Sequence, residues 1–175
     1  MAEFHYFACD GGPHLVLPGA ARALWGGVGK GYDPLDRSTD YARACGVEPP
    51  AGLISVGTEQ ALVLAGSPPM SAWSGAAGHG DIFVHVFESW SNPDLDSFAR
   101  SAMKAIPADN LADTGLRWAV GEGGFVLMFA GDIPGKSAYG EVPIPAPPGQ
   151  YRVCTGNYEG DAGKLLIVRL QREVA

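Results

Sequence analysis

The spacing of its chain breakers constrains this fold more than any other feature. Twenty-five glycines and 14 prolines among 175 residues cut the sequence into short apolar runs. Runs such as Leu15-Val16-Leu17, Ala61-Leu-Val-Leu64 and Phe125-Val-Leu-Met-Phe129 are too short for core helices, which need ~10–12 residues. Bounded by turn residues, they read as strands. The expected class is therefore mostly β (α+β): antiparallel sheets forming a sandwich or open barrel, built from repeated β-hairpin units. Strands are expected at 3–8, 14–17, 52–56, 61–65, 81–87, 116–121, 125–129, 151–154 and 165–170.

Helical periodicity is clear in one place. Leu95, Phe98, Ala99, Ala102, Met103 and Ile106 fall on one face, and Pro107 closes the pattern. Ser91 or Asn92 is the expected cap, with Pro93 at the first position, which predicts a helix over 93–106. Asp94 and Asp96 there complement the helix dipole. Shorter helices are expected near 19–25, between Pro18 and Gly26-Gly27, and near 40–45, capped by Thr39-Asp40 and stopped by Gly46. No linker is long enough to divide the chain, so residues 1–175 read as a single domain. It can be viewed as two β halves, 1–90 and 115–175, joined by the helix over 93–106.

Three stretches repeat. Gly12-Pro-His-Leu-Val-Leu-Pro-Gly19 precedes Trp25; Gly57 to Gly66 precedes Ser71-Ala72-Trp73; Gly121 to Gly131 precedes Ser137-Ala138-Tyr139. Each has a glycine turn, an apolar strand and a later aromatic, as a recurring hairpin would. The third copy also carries a motif of chemical interest. Ala130-Gly-Asp-Ile-Pro-Gly-Lys-Ser137 fits the relaxed phosphate-cradling loop of nucleotide-binding proteins. That loop works by aiming backbone N–H groups from the start of a helix. Prolines at 143, 145, 147 and 148 rule such a helix out here, so Lys136 reads as a solvated turn residue.

Composition narrows the function classes. A net charge of −7 argues against nucleic acid or anionic membrane as a partner, and fits attraction to a basic one. The Met-Ala-Glu-Phe-His start has neither the cationic nor the apolar stretch of a secretory signal. No apolar run reaches the ~18–20 residues of a membrane span. Cys9, Cys45 and Cys154, odd in number and widely spaced, fit reduced thiols in a cytoplasmic protein. The histidines at 5, 14, 79 and 85 show no metal-ligand spacing, and no metal or other cofactor is expected. A small enzyme or ligand-binding β domain using Cys45 or the histidines is the alternative reading.

Two segments suit protein docking. Glu88-Ser-Trp90 leads to Asp94 and Asp96, and Tyr158-Glu159-Gly-Asp161 sets a second aromatic among acids. An aromatic anchor ringed by carboxylates fits a basic protein surface.

The order and spacing of several pieces resemble the immunity protein 21 family of bacterial polymorphic toxin systems. They are Gly11-Gly12-Pro13, Trp25-Gly26, Asp40-Tyr41-Ala-Arg-Ala-Cys45, Val56-Gly57, Ala61–Leu64, Ala72-Trp73 and Pro148-Gly149-Gln-Tyr151-Arg-Val153. The resemblance implies a mostly β, intracellular protein, encoded beside a toxin, that protects its producer by binding it. It also implies neither enzymatic activity nor a cofactor, with a cognate toxin as partner; the −7 charge suits a basic toxin, such as a nuclease. Among the motif residues, a tight turn and a helix cap explain Gly11, Gly12, Pro13 and Asp40 structurally.

Overall fold

Strands that are apolar on every residue, not on alternate ones, need cover on both faces. This chain supplies it with four layers. A computed structural model describes residues 3–29, 36–75, 81–91 and 94–173. In chain order the elements are β1 (His5–Ala8), β2 (His14–Pro18), α1 (Asp40–Cys45), β3 (Ala51–Val56), β4 (Glu59–Leu64), β5 (Met70–Gly75) and β6 (Ile82–Trp90). They continue with α2 (Leu95–Ala105), β7 (Ala112–Val120), β8 (Phe125–Phe129), β9 (Val142–Ile144), β10 (Gly149–Gly160) and β11 (Gly163–Glu173). Short 3-10 helices span Gly19–Leu24 and Ala108–Asn110.

The strands form two antiparallel sheets, one in the order β1-β5-β6-β11-β10-β7 and the other in the order β3-β4-β2-β8-β9. Each sheet takes strands from both sides of α2. The architecture is a β sandwich without barrel closure.

Alternation assigns the faces. In β4, Leu62 and Leu64 point between the sheets, while Ala61 and Val63 point outward; in β8, Phe125 and Leu127 point in, and Val126 and Met128 out. The inner layer adds Trp118, Tyr151, Val84, Val168 and Leu170 from the larger sheet. Trp118 is fully buried, stacks on Phe125 at 4.7 Å, and donates Nε1–H to the Gln60 carbonyl at 3.0 Å, tying one sheet to the other. The outer face of the smaller sheet is covered by Ala21, Trp25 and Ala44 from the first 3-10 helix, its exit and α1. α2 lays Phe98, Ala99 and Ala102 over Phe83, Phe87, Leu165 and Ile167 on the far side of the larger sheet. Each large aliphatic side chain so buried stabilises the fold by ~1.5–3 kcal/mol.

The helix predicted over 93–106 runs Leu95–Ala105 with the expected apolar face, but its cap differs. Asp94 is the cap, its carboxylate accepting the Ser97 N–H at 2.9 Å. Ser91 instead bonds the Ala162 carbonyl through its N–H at 2.8 Å, holding the end of β6 to the β10–β11 turn. Asn92 and Pro93 lie outside the described residues, as does His79. The other two helices form as expected, α1 with Thr39 accepting the Ala42 N–H at 3.1 Å.

Two strands were not expected. β5, Met70-Ser-Ala-Trp-Ser-Gly75, has no apolar run because its fully buried Ser71 and Ser74 contact histidines, His14 from β2 in the facing sheet and His85 from the neighbouring β6. β9 lies in the proline-rich stretch, at the edge of its sheet, where a strand tolerates Pro143.

The repeat has a clear structural meaning in its strands. The apolar strands of the three copies are β2, β4 and β8, side by side at the centre of the smaller sheet. Their aromatics diverge. Trp25 is buried on the outer face of that sheet, Trp73 belongs to β5 in the other sheet, and Tyr139 is exposed, edge-on to Phe129 at 5.6 Å. The likeness between Trp73 and Tyr139 is therefore one of sequence and not of position.

Candidate functional site

The two segments expected to meet a partner do come together. β6 and β11 pair through Ser89↔Lys164 and Trp90↔Gly163, and β10 and β11 pair through Tyr158↔Leu165 and Glu159↔Lys164. Glu88, Trp90, Tyr158, Glu159 and Asp161 thus share one end of the larger sheet. Asn157 to Gly160 continue β10, and the turn itself is only Asp161-Ala162.

The aromatics and the acids then separate. Trp90 meets Phe87 edge-on at 6.0 Å and Tyr158 meets Phe98 at 5.8 Å, so both half-buried rings pack beneath α2. Asp94 caps the helix. Asp96 accepts the Tyr6 hydroxyl at 2.5 Å and pairs with Arg100 at 3.3 Å. Burial and the Asp96 bond push the Tyr6 phenol well above its ordinary range. Glu88, Glu159 and Asp161 are left exposed on the hairpin end.

Here the smaller sheet gives way to two loops, Pro49-Pro50 and Ala65–Pro68, joined by a bond from Ala65 N–H to the Pro50 carbonyl at 3.2 Å. Between these loops and the larger sheet lies a groove of about 470 Å³. Val86 and Leu166, both buried, form its floor, with exposed Glu88 and Asn157 beside them. A second depression of about 210 Å³ runs past Tyr158, Glu159 and Lys164 and shares Glu88 and Asn157, so the two form one trench. Lys164 pairs with Glu159 at 3.1 Å. Among the described residues Glu88 has no ion-pair or hydrogen-bond partner. The prolines, Ala65–Pro68, Val86 and Leu166 gave no functional signal in sequence, because apolar and turn residues look the same whether they line a core or a groove.

The phosphate-loop lookalike has its donors already taken. Gly135 N–H donates to the Glu141 carboxylate and the Ser137 hydroxyl to Asp132, so two of the chain's own carboxylates hold those donors. Lys136 closes a turn onto the Ile133 carbonyl at 3.0 Å.

The motif residues knit loops together. Gly12, at φ +100°, has the Phe129 ring and the Tyr41 hydroxyl where a Cβ would stand. Gly11 is also in the left-handed region, and Pro13 accepts the Ala130 N–H at 3.0 Å. Trp25 donates to the Ala130 carbonyl at 3.0 Å, and Asp40 accepts the Gly26 N–H at 2.7 Å. Tyr41 lies edge-on to Phe129 at 5.6 Å, and Trp73 stacks on His5 at 4.6 Å.

Cys45 is exposed at the end of α1. The thiol–histidine contact forms elsewhere, between Cys9 Sγ and His14 Nε2 at 3.1 Å, with His14 Nδ1 2.8 Å from Ser71 Oγ. Sequence reading missed this trio because Ser71 comes from a distant strand. Burial pushes the Cys9 thiol up and the His14 imidazole down to about 4. Both therefore stand neutral near pH 7, the opposite of the thiolate–imidazolium state a nucleophile needs. His85, fully buried, is likewise pushed down to about 3. Among the described residues no three His, Cys, Asp or Glu side chains are grouped to hold a metal.

Compared with known proteins, residues 5–164 match the family model described as Immunity protein 21. No curated protein and no solved structure matches the chain.

Proposed function

The chain belongs to the immunity protein 21 family, and on that premise we propose that it neutralises a cognate bacterial toxin by binding alone, without catalysis. The observation that carries the reading is the extent of the match, which takes in α2 and every strand except most of β11. The toxin is a basic protein of the nuclease kind, met in the cytoplasm of the producing cell. The −7 net charge supports this, since it favours encounter with a cationic surface. So does the chain's own pairing: Arg22, Arg43, Arg100, Arg117, Arg152, Lys164 and Arg169 each contact a carboxylate, leaving a surplus of acid. The three cysteines are free thiols, as in a reducing compartment. Co-expression with the toxin encoded beside this gene tests the proposal. Cells should survive with the protein and die without it; equal killing in both overturns the reading.

The Cys9–His14 contact is what a second reading, a thiol enzyme, would draw on, and that enzyme would need the charged pair that burial disfavours. Alkylation separates the two. A neutral, buried thiol reacts with iodoacetamide more slowly than free cysteine at pH 7, whereas a catalytic thiolate reacts faster.

A further inference from the structure

We propose that the trench at the hairpin end is where the toxin docks, and that it receives an extended basic segment. One apolar side chain enters against Val86 and Leu166, and a neighbouring lysine or arginine pairs with Glu88. This rests on the immunity reading above and adds to it a place and a chemistry.

Three observations converge on that occupant. The first is shape. A groove of about 470 Å³ continued by one of about 210 Å³ suits successive side chains of an extended segment, which recur on one face every ~6.5–7 Å. The second is the lining. Val86 and Leu166 belong to the core between the sheets, so an apolar group entering here extends the core itself.

The third is charge. The cation in the trench, Lys164, already faces Glu159, while Glu88 stands beside apolar walls with no partner among the described residues. An incoming cation finds there an exposed carboxylate that none of the described cations holds, set beside apolar walls that can take its neighbour's side chain. A nucleic acid or a second copy of this acidic chain would set negative charge against Glu88 instead. The other acidic face, at the start of α2, is a poorer candidate. Its Asp94 and Asp96 hold the helix and Tyr6, and Arg100 and Lys104 lie among them.

The experiment uses the full chain and a catalytically disabled form of the toxin domain encoded by the adjoining gene, with binding measured by calorimetry at two salt concentrations. Glu88→Lys is expected to weaken binding by about 100-fold. Asn157→Trp, which fills the trench, is expected to weaken it by about 10-fold. Thr58→Lys, on the opposite end of the sandwich, should stay within about threefold. Circular dichroism and melting confirm each fold, and Glu88→Gln, which keeps the shape, should lose part of the salt dependence. If the parent chain binds and the trench variants bind equally well, the docking site is elsewhere and the immunity reading survives. If the parent chain does not bind that toxin, both fall. Self-association abolished by Asn157→Trp would assign the trench to a second copy and overturn the proposal.

Discussion

The loop from Ala130 to Glu141 and the trench at the hairpin end are both acidic, yet their carboxylates do different work. In the loop, Asp132 accepts from Ser137, Glu141 accepts from Gly135 N–H and from Arg22, and Tyr139 reaches Asp10 at 2.9 Å. Each carboxylate there closes a turn or joins two segments. In the trench, Glu88 makes no such bond among the described residues. What separates these acids is availability and not number, and it is availability that the docking proposal rests on. A carboxylate already satisfied within the fold has little to gain from a partner.

The strongest way to probe the committed side of this comparison is Asp81. Its Oδ2 takes two bonds from Arg169, at 2.9 and 2.6 Å, and both side chains are nearly buried. Asp81→Ala leaves the nearly buried guanidinium with only the Ala108 carbonyl and the exposed Asp109, and should cost about 3 kcal/mol in urea unfolding. Replacing both residues with apolar ones of similar size should recover most of the loss.

Acid titration is the next largest effect. An unfolded histidine titrates near 6.5, but His14 is held near 4, so below pH 6.5 the unfolded chain binds more protons than the folded one. The contribution of neutral His14 is therefore full above pH 6.5 and falls away as the pH drops toward 4. Between pH 7 and pH 5 it should amount to about 2 kcal/mol, and His14→Gln should flatten the stability profile by that amount. A profile unchanged by the substitution would show that His14 is not held neutral.

Smaller effects sharpen the contrast directly. Glu141→Ala should destabilise by about 1 kcal/mol, because it frees Gly135 N–H and the exposed Arg22. Glu88→Gln should change stability by less than about 0.5 kcal/mol. Raising salt should slow association with the toxin in the parent chain more than in Glu88→Gln, read by stopped flow.

What the sequence disclosed follows the same division. Apolar runs between glycines and prolines locate the central strands, and the face from Leu95 to Ile106 locates α2, because both are set by burial. β5 stayed hidden because buried Ser71 and Ser74 read as polar until His14 and His85 are beside them. β10 is expected at 151–154 but runs Gly149–Gly160. Its later residues, Asn157 and Glu159, lie over the trench instead of under the other sheet and carry no apolar signal. The candidate acids were legible as a cluster with aromatics, but the orientation was not. Trp90 and Tyr158 turn toward α2, which no local pattern encodes. Tertiary pairing alone distinguishes Glu88 from Asp96.

The hairpin of β10 and β11 is rooted in the interior at Tyr151, Val153 and Leu170, while its tip carries Asn157, Glu159, Asp161 and Lys164 outside it. Heritable change at the tip leaves the interior untouched. If the toxin docks there as proposed, a lineage whose toxin altered its surface follows by substituting a handful of tip positions, keeping the scaffold while exchanging the lock it fits.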